Sequence, residues 1–409
     1  MIPVTDPRSH PSVFMLLILP YGALSGYLTV TLGYLLSQSS MPVAQIGLLI
    51  AVSYLPQTWK FLWAPIVDTT LTRKRWYLIG TTLTSVGVIA MAACSTRATA
   101  LSVLSVVVFV ASLASSFTAM STESLLAYNT PLALKGRAGG WLQAGSLGGQ
   151  GLGGGAGLWL AQRVPAPWMT GAALGLCFML CCAPLLAIAE PATTLRQKGV
   201  GRTAIELLWD LWLVLRARSG YLALLVVFLP IGTGAASNLW PAVADDWHAS
   251  ASTVAVVNGA LGGLASAIGC LGGGYLADFL NRRVAYLGYG VLLALCGLAM
   301  ALFPHTQSAY VTFTLVYAVI SGMCFAAFSA VTLEAIGLGA AATKYNLYAS
   351  LSNVPIMYLT ALEGRARDWW GTSGFLYFEG IMTVVSVVVF VTATLLTARR
   401  VAPLAAESA

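Results

Sequence analysis

The sequence predicts an all-α membrane protein with twelve transmembrane helices in two six-helix bundles. Of its 409 residues, 58% are hydrophobic and 9% are charged, whereas about a quarter of the residues in soluble domains are charged. Apolar stretches of about 20 residues recur along the chain, and each is long enough to cross a hydrocarbon core as a helix. The alternating pattern of outer-membrane barrel strands, about ten residues each, is absent. A repeat relating the two halves is the third observation.

The apolar stretches set the boundaries of the predicted spans. These are 12–36, 43–67, 76–95, 100–129, 138–162, 168–190, 221–243, 253–278, 284–303, 309–335, 346–363 and 374–397. The first resembles a signal peptide only superficially, because its apolar run continues to about Leu36 without a small-residue cleavage site. We therefore expect it to be retained as a helix.

Basic residues in the predicted connections indicate the orientation of the chain. Most of them lie on the side of the N-terminus, including the run Arg73-Lys74-Arg75. Cytoplasmic loops carry the excess of Lys and Arg in membrane proteins. An even number of spans places both termini on one side, so we expect both in the cytoplasm of a multi-pass membrane protein.

The longest polar connection divides the predicted spans six and six. It covers 191–220, between an N-terminal bundle at 1–190 and a C-terminal bundle at 221–409. Apolar residues at helical spacing from Ala204 to Arg218 predict a helix on the cytoplasmic membrane surface within this linker.

An internal repeat relates the two halves. The LPYG motif at 19–22 recurs as LPIG at 229–232, and Asp68 recurs as Asp278, both at a spacing of 210 residues. Glu123 and Glu334 follow at nearly the same spacing. Matches in the same order at several points predict two bundles related as parallel repeats.

The sequence offers no residues for several other classes of function. The formal net charge of +7 comes from short basic clusters beside apolar spans, which reflects topology, so we expect no nucleic-acid partner. The seven cysteines include no CxxC pair, and the three histidines fall in predicted loops or termini. We therefore expect no metal site, no cofactor and no enzymatic activity.

One string carries a family resemblance. Residues 60–68, KFLWAPIVD, are followed by a basic run, and the aspartate and basic residues recur at Asp278 and Arg282-Arg283. This arrangement resembles the major facilitator superfamily. The string itself is similar to the peptide/acetyl-coenzyme A/drug transporter branch, which includes muropeptide permeases, siderophore permeases and acetyl-coenzyme A transporters. The resemblance implies the major facilitator fold and transport by alternating access.

The resemblance also implies a function. We expect proton-coupled import of a bulky amphiphilic solute of the muropeptide or siderophore class across the bacterial inner membrane, by a monomer. The expected partners are a small-molecule substrate, protons and the lipid bilayer. Two alternatives stay open, namely a drug or metabolite exporter of the same fold and a non-transporting membrane sensor or scaffold.

The repeated aspartates and basic residues are candidates for a gate. We expect Asp68 to accept N–H groups at the start of the eleventh span, and Asp278 to do the same at the fifth. A carboxylate at a helix N-terminus is favoured by about 0.3–2 kcal/mol. The candidate gating residues are Asp68, Arg73, Arg75, Asp278, Arg282 and Arg283. The alternative is helix capping without a switching role.

Lys60 is the least expected residue in the second span. It lies eight residues before Asp68, hence about 12 Å from the helix end, and an ammonium at that depth needs a partner or water. Glu123 in the fourth span falls at a similar level. Three interpretations stay open: a static ion pair, a carboxylate released by substrate or proton, or a lysine that binds an anionic substrate group. Glu334 is a further candidate for proton coupling.

The resemblance implies a substrate cavity lined mainly by spans one, four, seven and ten. Tyrosine, serine, tryptophan and asparagine side chains suit a bulky, hydrogen-bonding solute. The candidates are Tyr21, Ser25, Tyr27, Trp59, Trp63, Asn238 and Trp240. For each aromatic residue, filling a helix interface is the alternative. Glu379 also lies within a span, the twelfth, which the resemblance places at the periphery.

Overall fold

The protein folds into helices joined by short turns. A computed structural model describes residues 12–94, 101–129, 135–190, 227–336 and 347–399, together with 205, 209 and 225, and these residues contain no strand. The predicted all-α fold class is confirmed. The helices are α1 (Ser12–Gln38), α2 (Val43–Thr58), α3 (Lys60–Thr69), α4 (Arg73–Ala93), α5 (Leu101–Asn129), α6 (135–161), α7 (Pro167–Leu180), α8 (251–279), α9 (Arg282–Leu302), α10 (Gln307–Ile336) and α11 (Asn353–Arg399).

Most of these helices have the length and apolar character of membrane spans. Within the described ranges, eight helical stretches are long and apolar enough to cross a membrane. One of them, Leu347–Leu395, has 49 residues, enough for two crossings of about 20 residues each. The number of twelve spans and the division at 191–220 remain predictions. The predicted surface helix of the linker lies outside the described residues, except for Ile205 and Trp209, which are exposed.

The bundle has apolar side chains outside and hydroxyl groups inside. Leu271 and Leu302 are 77% and 74% exposed, whereas Thr81, Ser116 and Thr118 are 0% exposed. Lipid tails are as apolar as leucine, so helices in a membrane associate through close packing and hydrogen bonds instead of hydrophobic burial. The distribution therefore fits a protein surrounded by lipid.

Glycines bring α1, α6 and α8 into close contact. A Cβ at Gly153 would lie 1.7 Å from the carbonyl oxygen of Ala23, and one at Gly259 would lie 2.6 Å from the Cα of Gly155. Each of the three helices contains a π-helical segment here, at Tyr27–Leu32, Leu152–Ala156 and Ala255–Leu261. Such segments inside α-helices occur frequently at functional sites.

The predicted second span is interrupted. The sequence predicts one helix over 43–67, whereas the structure has a break at Trp59, with φ −101° and ψ 7°, and α3 continues through Pro65. Lys60 therefore begins a new helix.

The predicted seventh span, 221–243, is wrong as a continuous helix. Residues 229–234 are irregular, and the chain continues as 3₁₀ turns at Ala235–Asn238 and Trp240–Trp247. Gly232 and Gly234 have φ of 62° and 67°, values that glycine adopts without steric cost. Pro230 interrupts the hydrogen bonding, and these two glycines let the chain turn.

The predicted loop between the last two spans is mostly helical. The sequence predicts that the eleventh span ends at residue 363, yet α11 continues to Trp370 and turns only at Gly371, with φ 73° and ψ −175°. Glu363 therefore lies within a helix and not at its end.

Candidate functional site

Lys60 and Glu123 form an ion pair between α3 and α5. The Nζ atom of Lys60 lies 2.6 Å from both carboxylate oxygens of Glu123. The side chains are 19% and 31% exposed, so the pair is neither sealed in the core nor fully in solvent. The break at Trp59 places Lys60 at the start of α3, where its long side chain reaches the facing helix. The ion pair can be formed, as here, or broken when one of its two charges is neutralised.

Three aromatic residues lie near this pair, either in space or along the helix. Tyr21 on α1 lies within electrostatic range of Glu123 and of Tyr54 on α2. Trp63 is half-buried, and its Nε1 atom is buried without a hydrogen-bond partner in the described part of the chain. Trp59, at the helix break, is 44% exposed. Trp63 therefore presents an unused donor within one turn of Lys60.

A chain of hydrogen bonds connects α2 with α11 through the irregular segment after residue 229. The hydroxyl of Tyr54 donates to Oδ1 of Asn238 at 3.2 Å, and Nδ2 of Asn238 donates to Oγ1 of Thr360 at 3.0 Å. Asn238 is 5% exposed and Thr360 is 0% exposed. Polar groups of three distant parts of the sequence thus meet inside the bundle.

The helices close together at the end of the bundle where α1 ends and α2 begins, which we call the Gln38 end. The carboxylate of Asp368 accepts hydrogen bonds from the N–H groups of Val43 and Ala44, at 3.1 and 3.0 Å. The Gln38 side chain donates to Asp245 at 2.6 Å. These contacts join α1 and α2 to segments more than 200 residues away in sequence.

Glycines allow the backbones to meet at the same place. A Cβ at Gly47 would lie 2.8 Å from the carbonyl oxygen of Thr360, and one at Gly364 would lie 2.7 Å from that of Val43. Beside this crossing, Arg367 binds Asp246 with N–O distances of 2.8 to 3.0 Å, and Thr372 donates to the same carboxylate. The Gln38 end is therefore shut by both side-chain and backbone contacts.

The candidate gating residues lie at the opposite end, where α3 ends and α4 begins. Arg73 is 2% exposed, and its Nε donates to Ser124 at 2.5 Å. Glu190 accepts the N–H groups of Arg73 and Lys74, which caps α4. Arg75 is exposed in the first turn of this helix.

The second set of candidate gating residues lies around the start of α9. Arg282 and Arg283 are exposed there. Asp68 and Asp278 fall near the ends of α3 and α8, and Glu334 lies in α10, but their side chains are outside the described part of the structure. Residues 337–346, the predicted partner segment of Asp68, also lie outside it.

The candidate cavity residues divide into two groups. Tyr21 and Ser25 are half-buried on α1, and Asn238 takes part in the hydrogen-bond chain. Tyr27 and Trp240 are 2% and 1% exposed and pack inside the bundle. Trp240 contacts the rings of Tyr317 and Phe375 edge-on, at centroid distances of 5.3 and 5.7 Å.

The structure brings together several residues to which the sequence assigns no role. Asp368, Asp245 and Arg367 belong to segments that the sequence predicts as loops, and Glu363 is the last residue of the predicted eleventh span. One signal was available, because a glutamate within the apolar run 354–363 is as unusual as Lys60. The pairing of Asp368 with α2 had no such signal, since it depends on a helix crossing.

Known proteins resemble this arrangement. A family model described as the Major Facilitator Superfamily matches residues 14–360. None of the curated proteins compared with the chain matches it. A D-xylose-proton symporter superimposes with a TM-score of 0.69 at 13% identity, over 93% of this chain and 97% of the other.

Two further solved structures show the same fold. A POT family transporter in complex with a thioalcohol-conjugated peptide has a TM-score of 0.71 at 12% identity, over 94% and 95% of the two chains. A bacterial homologue of the human lysosomal transporter Spinster, described as inward-facing and unoccupied, has a TM-score of 0.70 at 15% identity. The match covers 94% of this chain and 96% of the other.

Proposed function

Because the chain belongs to the Major Facilitator Superfamily, we propose that it imports a bulky amphiphilic solute together with protons across the bacterial inner membrane. The chain is a multi-pass membrane transporter and not an enzyme. The proposed substrate is of the muropeptide or siderophore class. Transport proceeds by alternating access between two six-helix bundles, 1–190 and 221–409, joined by the linker 191–220, with both termini in the cytoplasm.

The Lys60–Glu123 pair is the observation that carries this proposal. Its distance of 2.6 Å and partial exposure describe a contact that one proton can open, because a protonated Glu123 no longer attracts the ammonium. Breaking one partner of a buried pair leaves an uncompensated charge. In the proposed cycle, an anionic or carbonyl group of the substrate takes the place of Glu123 at Lys60 when Glu123 is protonated.

The contacts at the Gln38 end support an arrangement closed on one side of the membrane. Asp368 and Asp245 hold α2 and α1 there, and excess positive charge in the loops at the other end favours the cytoplasm for that end. We assign the present arrangement to the state that is open inward. In the opposite state, Asp68 and Asp278 with the basic residues Arg73, Arg75, Arg282 and Arg283 close the cytoplasmic end.

The residues around the ion pair favour a large, hydrogen-bonding solute. Tyr21, Tyr54 and Asn238 supply hydroxyl and amide groups, and Trp63 supplies an indole N–H without a partner among the described residues. A simple inorganic ion would need oxygen ligands and no aromatic surface. Aromatic rings beside a few polar groups are typical of sites for organic ligands.

The test uses purified protein in liposomes with an imposed proton gradient. A radiolabelled muropeptide and a radiolabelled hydroxamate siderophore are the two probes. We expect one of them to accumulate and a protonophore to abolish the accumulation. Accumulation of neither probe would contradict the substrate class, and accumulation that a protonophore leaves unchanged would contradict proton coupling.

Two variants separate coupling from binding. Glu123→Gln resembles the protonated carboxyl, so we expect it to retain exchange of the substrate across the membrane but to lose accumulation driven by protons. Arg163→Gln is the matched control, because it removes an exposed cation that stacks on Trp159, away from the site. Accumulation of the probe in the lumen of inverted membrane vesicles would instead favour the exporter alternative.

A further inference from the structure

Two glutamates of α11, on either side of Gly371, are buried together in the C-terminal half of the chain. Glu363 and Glu379 are 0% and 2% exposed. They lie close enough for each to sense the charge of the other. They belong to neither the Lys60–Glu123 pair nor the contacts at the Gln38 end, so the proposed mechanism does not yet use them.

Few hydrogen-bond donors face these two carboxylates in the described part of the chain. Both oxygens of Glu363 and Oε2 of Glu379 are buried without a hydrogen-bond partner among the described residues. Glu379 accepts the hydroxyl of Tyr317 on α10, and the backbone N–H of Ala236 faces it. A Cβ at Gly297 on α9 would lie 3.2 Å from Oε2 of Glu379, so the carboxylate rests against that backbone.

The titratable groups that face Glu379 carry no positive charge. They are Tyr317 and Cys324 on α10, Cys296 on α9 and Glu363 on α11. Two arginines of α11 follow Glu363. Arg365, two residues later, is exposed, and Arg367, one turn later, is bound to Asp246. Within the described part of the chain, the two carboxylates therefore lack a counter-ion.

The indole N–H of Trp240 is a further polar group near the two glutamates. Trp240 packs edge-on against Tyr317, which is the donor to Glu379, and its Nε1 is buried without an acceptor in the described residues. The irregular segment at 229–234 leads directly to these residues. Non-helical backbone at membrane depth is found where it lines a cavity or site.

We propose that Glu363 and Glu379 form a second proton-binding site and that the proton held there keeps α11 seated against α2 at the Gln38 end. Two neighbouring carboxylates in an apolar site cannot both stay ionised, and a buried charge without a partner is neutralised instead. The uptake is a simple addition of one proton from water to a carboxylate. Tyr317 and Ala236 favour Glu379 as the ionised member, which leaves Glu363 as the protonated one.

The position of Glu363 connects this proton to the closed end. Thr360, one turn earlier, accepts the hydrogen bond from Asn238, and Gly364, the next residue, meets the backbone of α2. A charge on Glu363 would draw water or a donor toward this face of α11. Loss of the proton is therefore expected to loosen the crossing of α11 with α2.

Infrared difference spectroscopy of the full-length protein in lipid nanodiscs tests the proton directly and needs no substrate. We expect the carbonyl band of a protonated carboxylic acid at neutral pH in the wild type and in Glu123→Gln. We expect loss of that band in the double variant Glu363→Gln/Glu379→Gln. A band that survives in the double variant would overturn the proposal.

Two further measurements keep the inference testable if the double variant does not fold. Tyr317→Phe should shift the band of protonated Glu363 without removing it, because its ionised neighbour Glu379 loses the hydroxyl donor. An unshifted band would overturn the pairing. Sodium titration of thermal stability should give no response specific to sodium. A sodium response that Glu379→Gln abolishes would identify a cation site instead.

Hydrogen–deuterium exchange of segments 43–47 and 364–370 tests the connection to the closed end. After correction for intrinsic exchange rates, protection in the wild type should fall as the carboxylic band disappears with rising pH, and it should be independent of pH in Glu363→Gln. Equal pH dependence in both proteins would overturn the connection. The role in transport rests on the proposed function, but these readouts do not, so the two can fail separately.

Discussion

Oδ1 of Asp368 accepts the backbone N–H of Val43 at 3.1 Å, a hydrogen bond between residues 325 positions apart. Ala44 donates to the other oxygen of the same carboxylate. The first N–H groups of a helix have no partner within it, and the helix dipole favours a negative charge there. Asp368 therefore caps α2 from another part of the chain, and this cap can form only when the Gln38 end is closed.

Asp368→Ala is expected to destabilise the closed end by about 1 kcal/mol, the usual cost of losing such a cap. Hydrogen–deuterium exchange of residues 43–47 should become about fivefold faster. Asp245→Asn is the comparison, because Asp245 meets Gln38 at the exposed surface, where polar pairs contribute little. Equal effects of the two changes would contradict the special role of Asp368.

Lys60→Met is expected to stop accumulation of substrate and to reduce stability, because Glu123 keeps its charge without a partner. For fully buried pairs such a change costs about 3–5 kcal/mol, and partial exposure reduces the figure to about 1–2 kcal/mol here. The double variant Lys60→Met/Glu123→Gln should recover much of the stability but not the transport. Thermal unfolding of the four proteins of this cycle measures the coupling.

Lys60→Arg is the charge-preserving control for that cycle. It should retain the stability of the wild type. A double variant that accumulates substrate normally would refute the role of the pair in transport.

Thr360→Val is expected to destabilise the protein by about 1–3 kcal/mol, because Nδ2 of buried Asn238 loses its acceptor. The measurement is thermal unfolding in a defined detergent. Tyr54→Phe should cost less, since it removes a longer hydrogen bond of 3.2 Å from a residue that is only half-buried. A larger effect of Tyr54→Phe would contradict the greater contribution assigned to the buried bond between Asn238 and Thr360.

Gly47→Ala is expected to prevent full closure at the Gln38 end, since its Cβ would lie 2.8 Å from the carbonyl oxygen of Thr360. Overpacking of this kind typically costs about 1–3 kcal/mol. Gly288→Ala on α9 is the matched control, because a Cβ there meets nothing within 4 Å. Faster exchange at residues 43–47 only in Gly47→Ala is the expected result, and equal exchange in the two variants would contradict it.

The repeated proline motif shows how far local sequence determines structure. Pro20 lies inside the continuous helix α1, where Gly22 packs against the backbone of Ser146 on α6. Pro230, in the corresponding motif, belongs to an irregular segment with Gly232 and Gly234 in the left-handed region. The pattern LPxG thus has two conformations although both of its glycines pack closely against a neighbouring helix, so the local sequence alone does not determine the backbone here.

Sequence alone determined the class of the protein and the chemistry at one place in it. Hydropathy and charge are properties of a single segment, so apolar runs predict helices in a membrane and Lys60 stands out within one of them. The sequence also suggested Glu123 as the neighbour of Lys60, because the two residues lie at similar distances from the ends of their predicted helices.

Only the tertiary structure decided which distant groups meet. The burial of Glu363 beside Glu379 and the cap that Asp368 places on α2 depend on how helices cross. Crossings are set by the packing of small residues such as Gly47 and Gly364 against facing backbones, and a periodic pattern within one helix does not specify the partner.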